Sequence, residues 1–239
     1  MIVYIASYPR SGNTWCRNLL LDNFNLVSSS FYMGSAEASY YAVNSHIQQD
    51  WQNWVAGHQA FIQSLSELSD DELVKCLDTR PDFRQIWIKD VELEEGQTSV
   101  QTTCIHKGCL PLLEYPVFRR YLSLKDELYL IKTHHLPFDH YYKGEKVIQI
   151  ARHPGPVLRS YFHYLENKDK GFAMIDLIRG NVKFHGWGTY HRHWMKAANA
   201  LLPDQYLQIR YEEMQSDIQT VMRNLEQFLN TPLIHKKVI

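Results

Sequence analysis

Twenty-five basic and 26 acidic side chains leave this 239-residue, 28.2 kDa chain with a formal charge of -1, so there is no global electrostatic drive toward nucleic acid and any anion site must be locally focused. With 45% apolar residues, the composition excludes a disordered chain, a collagen-like repeat and a disulfide miniprotein. The length suits one substantial core, and without a Pro/Gly/Ser-rich linker the expectation is a single domain over residues 1–239.

The first apolar run, residues 2–6, reads as a buried strand. It carries no basic leader and is too short for a signal-peptide core or a membrane span, so a cytoplasmic protein without membrane insertion is expected. A turn follows, and then Trp15, Leu19, Leu20 and Leu21 repeat at helical spacing over residues 14–24. Residues 28–125 mix aromatic and polar side chains without a sustained period, apart from helices expected over 50–54 and 65–77; this stretch is expected to shape a variable acceptor region. Cys16, Cys76, Cys104 and Cys109 are few for the length and come without an export signal, so free thiols are expected. Cys104-x-His106-x-x-Cys109 supplies only three candidate ligands with no matching second pair, and no metal is expected there.

The same strand, loop, helix order returns later. Residues 128–132 form a short apolar strand that ends at Thr133-His134-His135. Residues 146–151 form another, followed by a turn over 152–156 and an aromatic helix over 157–165. A loop from residue 181 enters an aromatic amphipathic helix that continues to 201, and residues 206–209 form a strand ending at Arg210-Tyr211-Glu212. Residues 214–229 read as one helix with a continuous apolar stripe. Four strands that stop at polar residues, with helices between them, imply an α/β fold with a central parallel sheet and a ligand site at the carboxyl ends of its strands.

The first of those strand ends carries the clearest chemistry. Tyr8-Pro9-Arg10-Ser11-Gly12-Asn13-Thr14 lies between a strand and a helix, where free amides, the helix dipole and Arg10 can converge on a phosphate. Gly12 permits close backbone approach, and Ser11 and Thr14 bring hydroxyls. An ordinary N-capped turn would use some of the same residues. No lysine follows Gly12, so the nucleotide-hydrolysing P-loop pattern is not met, and a single glycine fails the dinucleotide fingerprint.

Four stretches taken in order, YPRSGNTW, LIKTHHLP, ARHPGPVLRSYFHY and IRYEEM, resemble the sulfotransferases that use 3'-phosphoadenosine 5'-phosphosulfate (PAPS). The resemblance touches strand ends across almost the whole chain and is loose over residues 28–125. It implies a three-layer α/β sandwich with a P-loop-like phosphosulfate-binding loop. In that loop Arg10, Ser11, Gly12, Asn13, Thr14 and Trp15 would hold the donor, with Arg10 standing where cytosolic members usually have lysine and Trp15 packing near the adenine. Arg152 and Ser160 would hold the 3'-phosphate, although Arg152-His153-Pro154 replaces the usual Arg-Asn-Pro and Pro156 stands where an acidic residue is common; Tyr211 would flank the adenine.

His134 would be the catalytic base, since Lys132-Thr133-His134 matches the family's Lys-Thr-His. The doublet leaves a register question: counting forward from Lys132 selects His134, which we take, whereas counting back from Leu136-Pro137 selects His135. An imidazole, with an ordinary pKa of about 6.5, can accept an acceptor proton at neutral pH. Lys132 and Arg10 would meet charge developing on the leaving oxygen as adenosine 3',5'-bisphosphate (PAP) departs. The implied acceptor is a small molecule with a hydroxyl group, less readily an amine. Phe31, Tyr32, Tyr40, Tyr41, Trp51 and Trp54 suit an apolar or planar pocket as well as a core. A nucleotide-dependent phosphotransferase is disfavoured by the missing Gly-Lys-Thr and the lack of an acidic magnesium pattern. A non-catalytic PAP-binding protein is the other alternative, because the family continues into a basic, glycine-containing loop over the 3'-phosphate, whereas this chain stops at Ile239 after His235, Lys236 and Lys237. A partner subunit would be one way to complete the donor site.

Overall fold

Residues 1–31, 53–81, 87–88, 102–105 and 107–234 are described by a computed structural model. Every residue of β1 (Ile2–Ser7) is fully buried, as a strand covered on both faces requires. The chain then turns into α1 (Asn13–Phe24), whose inward face carries Cys16, Leu20 and Phe24. The remaining strands are β2 (Ser28–Phe31), β3 (Trp87–Ile88), β4 (Cys104–Ile105), β5 (Tyr129–Thr133), β6 (Glu145–Ala151) and β7 (Tyr206–Arg210). A five-stranded sheet runs β2-β5-β1-β6-β7, and β3 and β4 form a separate antiparallel pair. Strands β6 and β7 are parallel, with Val147 opposite Tyr206 and Ala151 opposite Arg210. The fold is α/β with a central, mostly parallel sheet flanked by helices, in which β1 and β6 are neighbours although β5 and other elements separate them in sequence.

The chain divides into two compact units. The first comprises Met1–Val3, Asn25–Lys132 and Tyr142–Glu145. It contains α2 (Gln59–Leu65), α3 (Asp70–Asp78), a 3-10 segment (Lys107–Glu114) and α4 (Pro116–Ser123). The helix expected over 65–77 begins only at Asp70, because Ser69 and Glu72 close a reciprocal capping box there. Pro116 starts α4 at a position where its missing N–H costs no hydrogen bond. Leu73, Leu77, Leu113, Phe118 and Leu122 form the interior of this unit, with Phe31 buried as well.

The second unit comprises Tyr4–Phe24, Thr133–Tyr141 and Lys146–Ile239. Its helices are α1, α5 (Pro154–Lys168), α6 (Met174–Arg179), α7 (Trp187–Ala200), α8 (Tyr211–Ser216) and α9 (Ile218–Leu229). Helix α5 starts three residues earlier than its apolar pattern predicts: Pro154 is pre-set for the first turn and the His153 ring accepts from the Gly155 amide. The single helix expected over 214–229 is two. Asp217 leaves helical geometry (φ -148°, ψ 65°) and its carboxylate accepts from the Thr220 amide, capping α9. Val221, Met222, Leu225 and Leu229 then bury the apolar face of α9, and Lys146 donates to the carbonyl of Phe228 at its end. All four cysteines are free thiols. No helix among the described residues is long and apolar enough to cross a membrane.

Candidate functional site

Where β1 ends, the backbone must reverse sharply to enter α1. The Ser11 amide donates to the carbonyl of Tyr8 at 3.2 Å, and two residues take positive φ, Arg10 at 67° and Gly12 at 99°. The first is unfavourable for a side-chain-bearing residue, so the surroundings hold it there. At Gly12 a Cβ would lie 2.5 Å from Tyr211 Cδ2, so both the turn and the approach of Tyr211 require glycine. Beyond it, the amides of the first turn of α1 have no intrahelical acceptor and face outward at the positive end of the helix.

Cationic and hydroxyl groups gather on this turn. Arg10 Nε donates to Ser160 Oγ at 3.0 Å, and Arg152 Nη1 donates to the carbonyl of Arg10 at 3.1 Å. The Arg152 guanidinium also lies 3.9 Å from the centroid of Tyr211, whose ring meets Trp15 edge to face at 5.4 Å. Ser11 Oγ is fully buried and has no hydrogen-bond partner among the described residues. A buried hydroxyl without a partner normally costs stability; on the loop that also carries Arg10 and the free amides of α1, it is a donor of the kind an oxyanion accepts from. Arg10, Ser11, Gly12, Trp15, Arg152, Ser160 and Tyr211 are thus brought together in the second unit. Thr14 is exposed on the first turn of α1. The Asn13 side chain is 7% exposed and turned inward, donating to the carbonyl of Ile5 at 3.2 Å and to Ser7 Oγ at 3.0 Å, which leaves only its backbone for an anion.

His134 follows the end of β5 and lies in the same unit as the loop. Its Nδ1 is 2.7 Å from the Ser7 carbonyl and 3.4 Å from Ser7 Oγ. A carbonyl only accepts, so the proton sits on Nδ1 and the neutral ring keeps its lone pair on Nε2, the form a general base needs. His135 is held differently: its backbone amide donates to Thr133 Oγ1 and its carbonyl accepts from Trp194 Nε1. The Phe184 ring stands against both imidazoles, at 5.4 Å from His134 and 5.5 Å from His135. Lys132 is buried on β5 in the first unit.

Three contributors escaped the sequence reading. Ser7, expected in the turn after residues 2–6, is instead the last residue of β1, and its carbonyl carries no sequence signal at all. Trp187 Nε1 donates to the carbonyl of Arg152 at 3.2 Å, a role hidden behind its place in an amphipathic helix. Glu212 Oε1 accepts from the His153 amide at 3.1 Å. Partial burial works against the Glu212 carboxylate, but its backbone hydrogen bonds and the Arg210 and Arg152 charges outweigh that and hold its pKa below the usual value.

A profile of the sulfotransferase domain matches residues 2–239. The chain belongs to the sulfotransferase domain family. Human sulfotransferase 2B1 is 30% identical over 115 residues, which are 43% of this chain and 31% of its own length. The mouse protein of the same name is 29% identical over 115 residues, 43% of this chain and 33% of its own. These matches therefore span about a third of the curated relatives. Among solved structures, a mouse sulfotransferase complexed with PAP aligns with TM-score 0.48 at 15% identity, covering 98% of this chain and 59% of that one. The sulfotransferase domain from the curacin biosynthetic pathway aligns with TM-score 0.48 at 19% identity, covering 97% and 74%. Of the aromatic residues offered for an acceptor pocket, Tyr32, Tyr40, Tyr41 and Trp51 lie outside the described residues, as do His106, His235, Lys236 and Lys237. Trp54 stacks on His58 at 4.4 Å in the first unit.

Proposed function

We propose that this sulfotransferase-family chain transfers a sulfuryl group from PAPS to the hydroxyl of a small-molecule acceptor, releasing PAP. The observation that carries the reading is the cradle at the start of α1, where Arg10, Ser160 and Arg152 are linked around a loop whose Ser11 hydroxyl is buried without a partner. These groups fit an adenosine bisphosphate donor: Ser11, Arg10 and the first-turn amides on the 5' side, Arg152 and Ser160 on the 3'-phosphate, and Trp15 with Tyr211 on the base. When bound, the donor supplies an activated sulfur with a phosphate leaving group.

The remaining chemistry belongs to the chain. His134, with its proton on Nδ1, takes the acceptor hydroxyl proton on Nε2 as that oxygen approaches sulfur. Arg10 and the loop amides stabilise charge as it develops on the departing oxygen, and Lys132 is assigned the same task. Arg10 keeps the charge of the family's lysine but delivers it through a planar fork, which fixes its direction more firmly than an ammonium would. The choice of His134 over His135 rests on its ring contact to Ser7. The test is a transfer assay with sulfur-labelled PAPS against a panel of phenols, alcohols, sugars and amines. Label appearing on a hydroxyl acceptor supports the reading; PAP binding without transfer to any acceptor in the panel contradicts it.

A further inference from the structure

Asn13 was expected to face the anion, yet its amide reaches back into β1. Nδ2 divides its two hydrogens between the Ile5 carbonyl and Ser7 Oγ, while Oδ1 is buried with no hydrogen-bond partner among the described residues. A side chain kept only for packing would not leave an acceptor orphaned, because that group loses its water without replacement. The donor end is therefore the part that matters, and it acts on Ser7, the residue whose carbonyl meets His134 Nδ1 at 2.7 Å.

We propose that Asn13 is a positioning residue for the transfer reaction, bracing Ser7 so that its carbonyl holds the His134 proton on Nδ1 and keeps Nε2 as the base. The inference rests on the proposed role of His134. Neutral imidazole has two tautomers, and only one can make this bond. A base locked in the other tautomer would present an N–H to the acceptor hydroxyl and could not take its proton; a wrong tautomer in a catalytic histidine is known to be costly even when the geometry survives. The residue type fits the task. One amide nitrogen serves two oxygen acceptors, whereas aspartate would set a carboxylate against both and serine would bring a single donor. The brace also links the anion loop to the base, since Asn13 opens α1 and Ser7 closes β1.

The experiment is nitrogen-15 NMR of the histidine-labelled chain without substrate, with His134→Gln to assign the signal and Asn13→Ala and Ser7→Ala as test variants. The wild-type ring should carry its proton on Nδ1 across neutral pH. Asn13→Ala should mix the tautomers, lower kcat roughly 10- to 100-fold, shift the acid limb of the kcat profile, and leave the donor KM within about twofold. Ser7→Ala, which keeps the carbonyl, should produce a smaller mixture in the same direction. A wild-type proton on Nε2 overturns the proposal, as does a folded Asn13→Ala chain with an unmixed tautomer and unchanged pH profile. If Asn13→Ala fails to fold, the wild-type tautomer and Ser7→Ala decide. Since the spectrum needs no turnover, a locked tautomer in a chain inactive toward every acceptor refutes the proposed function and leaves the brace standing; an active enzyme with an unlocked tautomer does the reverse.

Discussion

In the first unit Arg120 meets Asp70 at 2.6 Å and Lys125 meets Asp78 at 2.8 Å, whereas in the second Arg10 and Arg152 form no ion pair among the described residues. Arg120 also donates to the carbonyl of Leu68, and Asp78 accepts from Tyr121, so each pair ties a helix to its neighbour. At the donor cradle, the nearby carboxylate of Glu212 accepts from the His153 amide and influences Arg152 only through its field. The same residue types therefore have two uses. A cation matched by a carboxylate within its own fold is a fastening, while under the proposed function a cation set among hydroxyls, amides and an aromatic face is kept for an external anion.

That contrast can be broken most severely at Gly12. In Gly12→Ala the new methyl needs the space of Tyr211 and a positive φ, so PAP affinity measured by calorimetry should fall roughly 100-fold, combining strain with loss of the aromatic wall. Retained affinity would mean that Tyr211 does not flank the nucleotide. The sharper test pairs two arginines. Arg152→Ala should weaken PAP binding roughly 10-fold through loss of charge-assisted hydrogen bonds, with little change in the urea midpoint. Arg120→Ala should do the opposite, lowering stability by about 1 kcal/mol or less and leaving PAP affinity unchanged. If the two variants behave alike, the distinction between fastening and binding cations fails.

A smaller effect concerns His191, buried beneath Trp187 at a ring separation of 4.3 Å. Burial pushes its pKa down to about 4. The unfolded chain, with histidine near 6.5, takes up the proton first as the pH falls, so stability is full above about 6.5 and drops between there and about 4. His191→Gln should flatten that part of the urea-midpoint profile; an unaltered slope would assign it to other groups. The smallest effect is chemical. Burial pushes Cys16 and Cys109 up to about 12, so iodoacetamide at neutral pH should label half-buried Cys76 first and reach those two only on unfolding.

Four of the five strands of the sheet were legible because apolar runs followed by polar turns leave few alternatives, as at β1 and β6, whereas β2 lies in the stretch without a sustained period. The break at Asp217 was not, since it falls inside a stripe whose apolar spacing continues on both sides. Short elements such as α4 and the 3-10 segment offer too few turns for a period to show. Motif order singled out Arg10, Arg152 and Ser160, which hydrogen bonds link, and His134, which lies in the same unit. It misread the Asn13 side chain, because a polar residue in a first helical turn looks the same in sequence whether it faces a ligand or a strand. The sequence alone could not show which ring of the His134-His135 doublet meets Ser7.

The most direct measurement is transfer of label from sulfur-labelled PAPS to a hydroxyl acceptor by the wild-type chain and by His134→Ala at equal PAPS occupancy. Turnover is expected in the first and a loss of at least about 100-fold in the second, with PAP affinity preserved. Undiminished transfer by His134→Ala would contradict it.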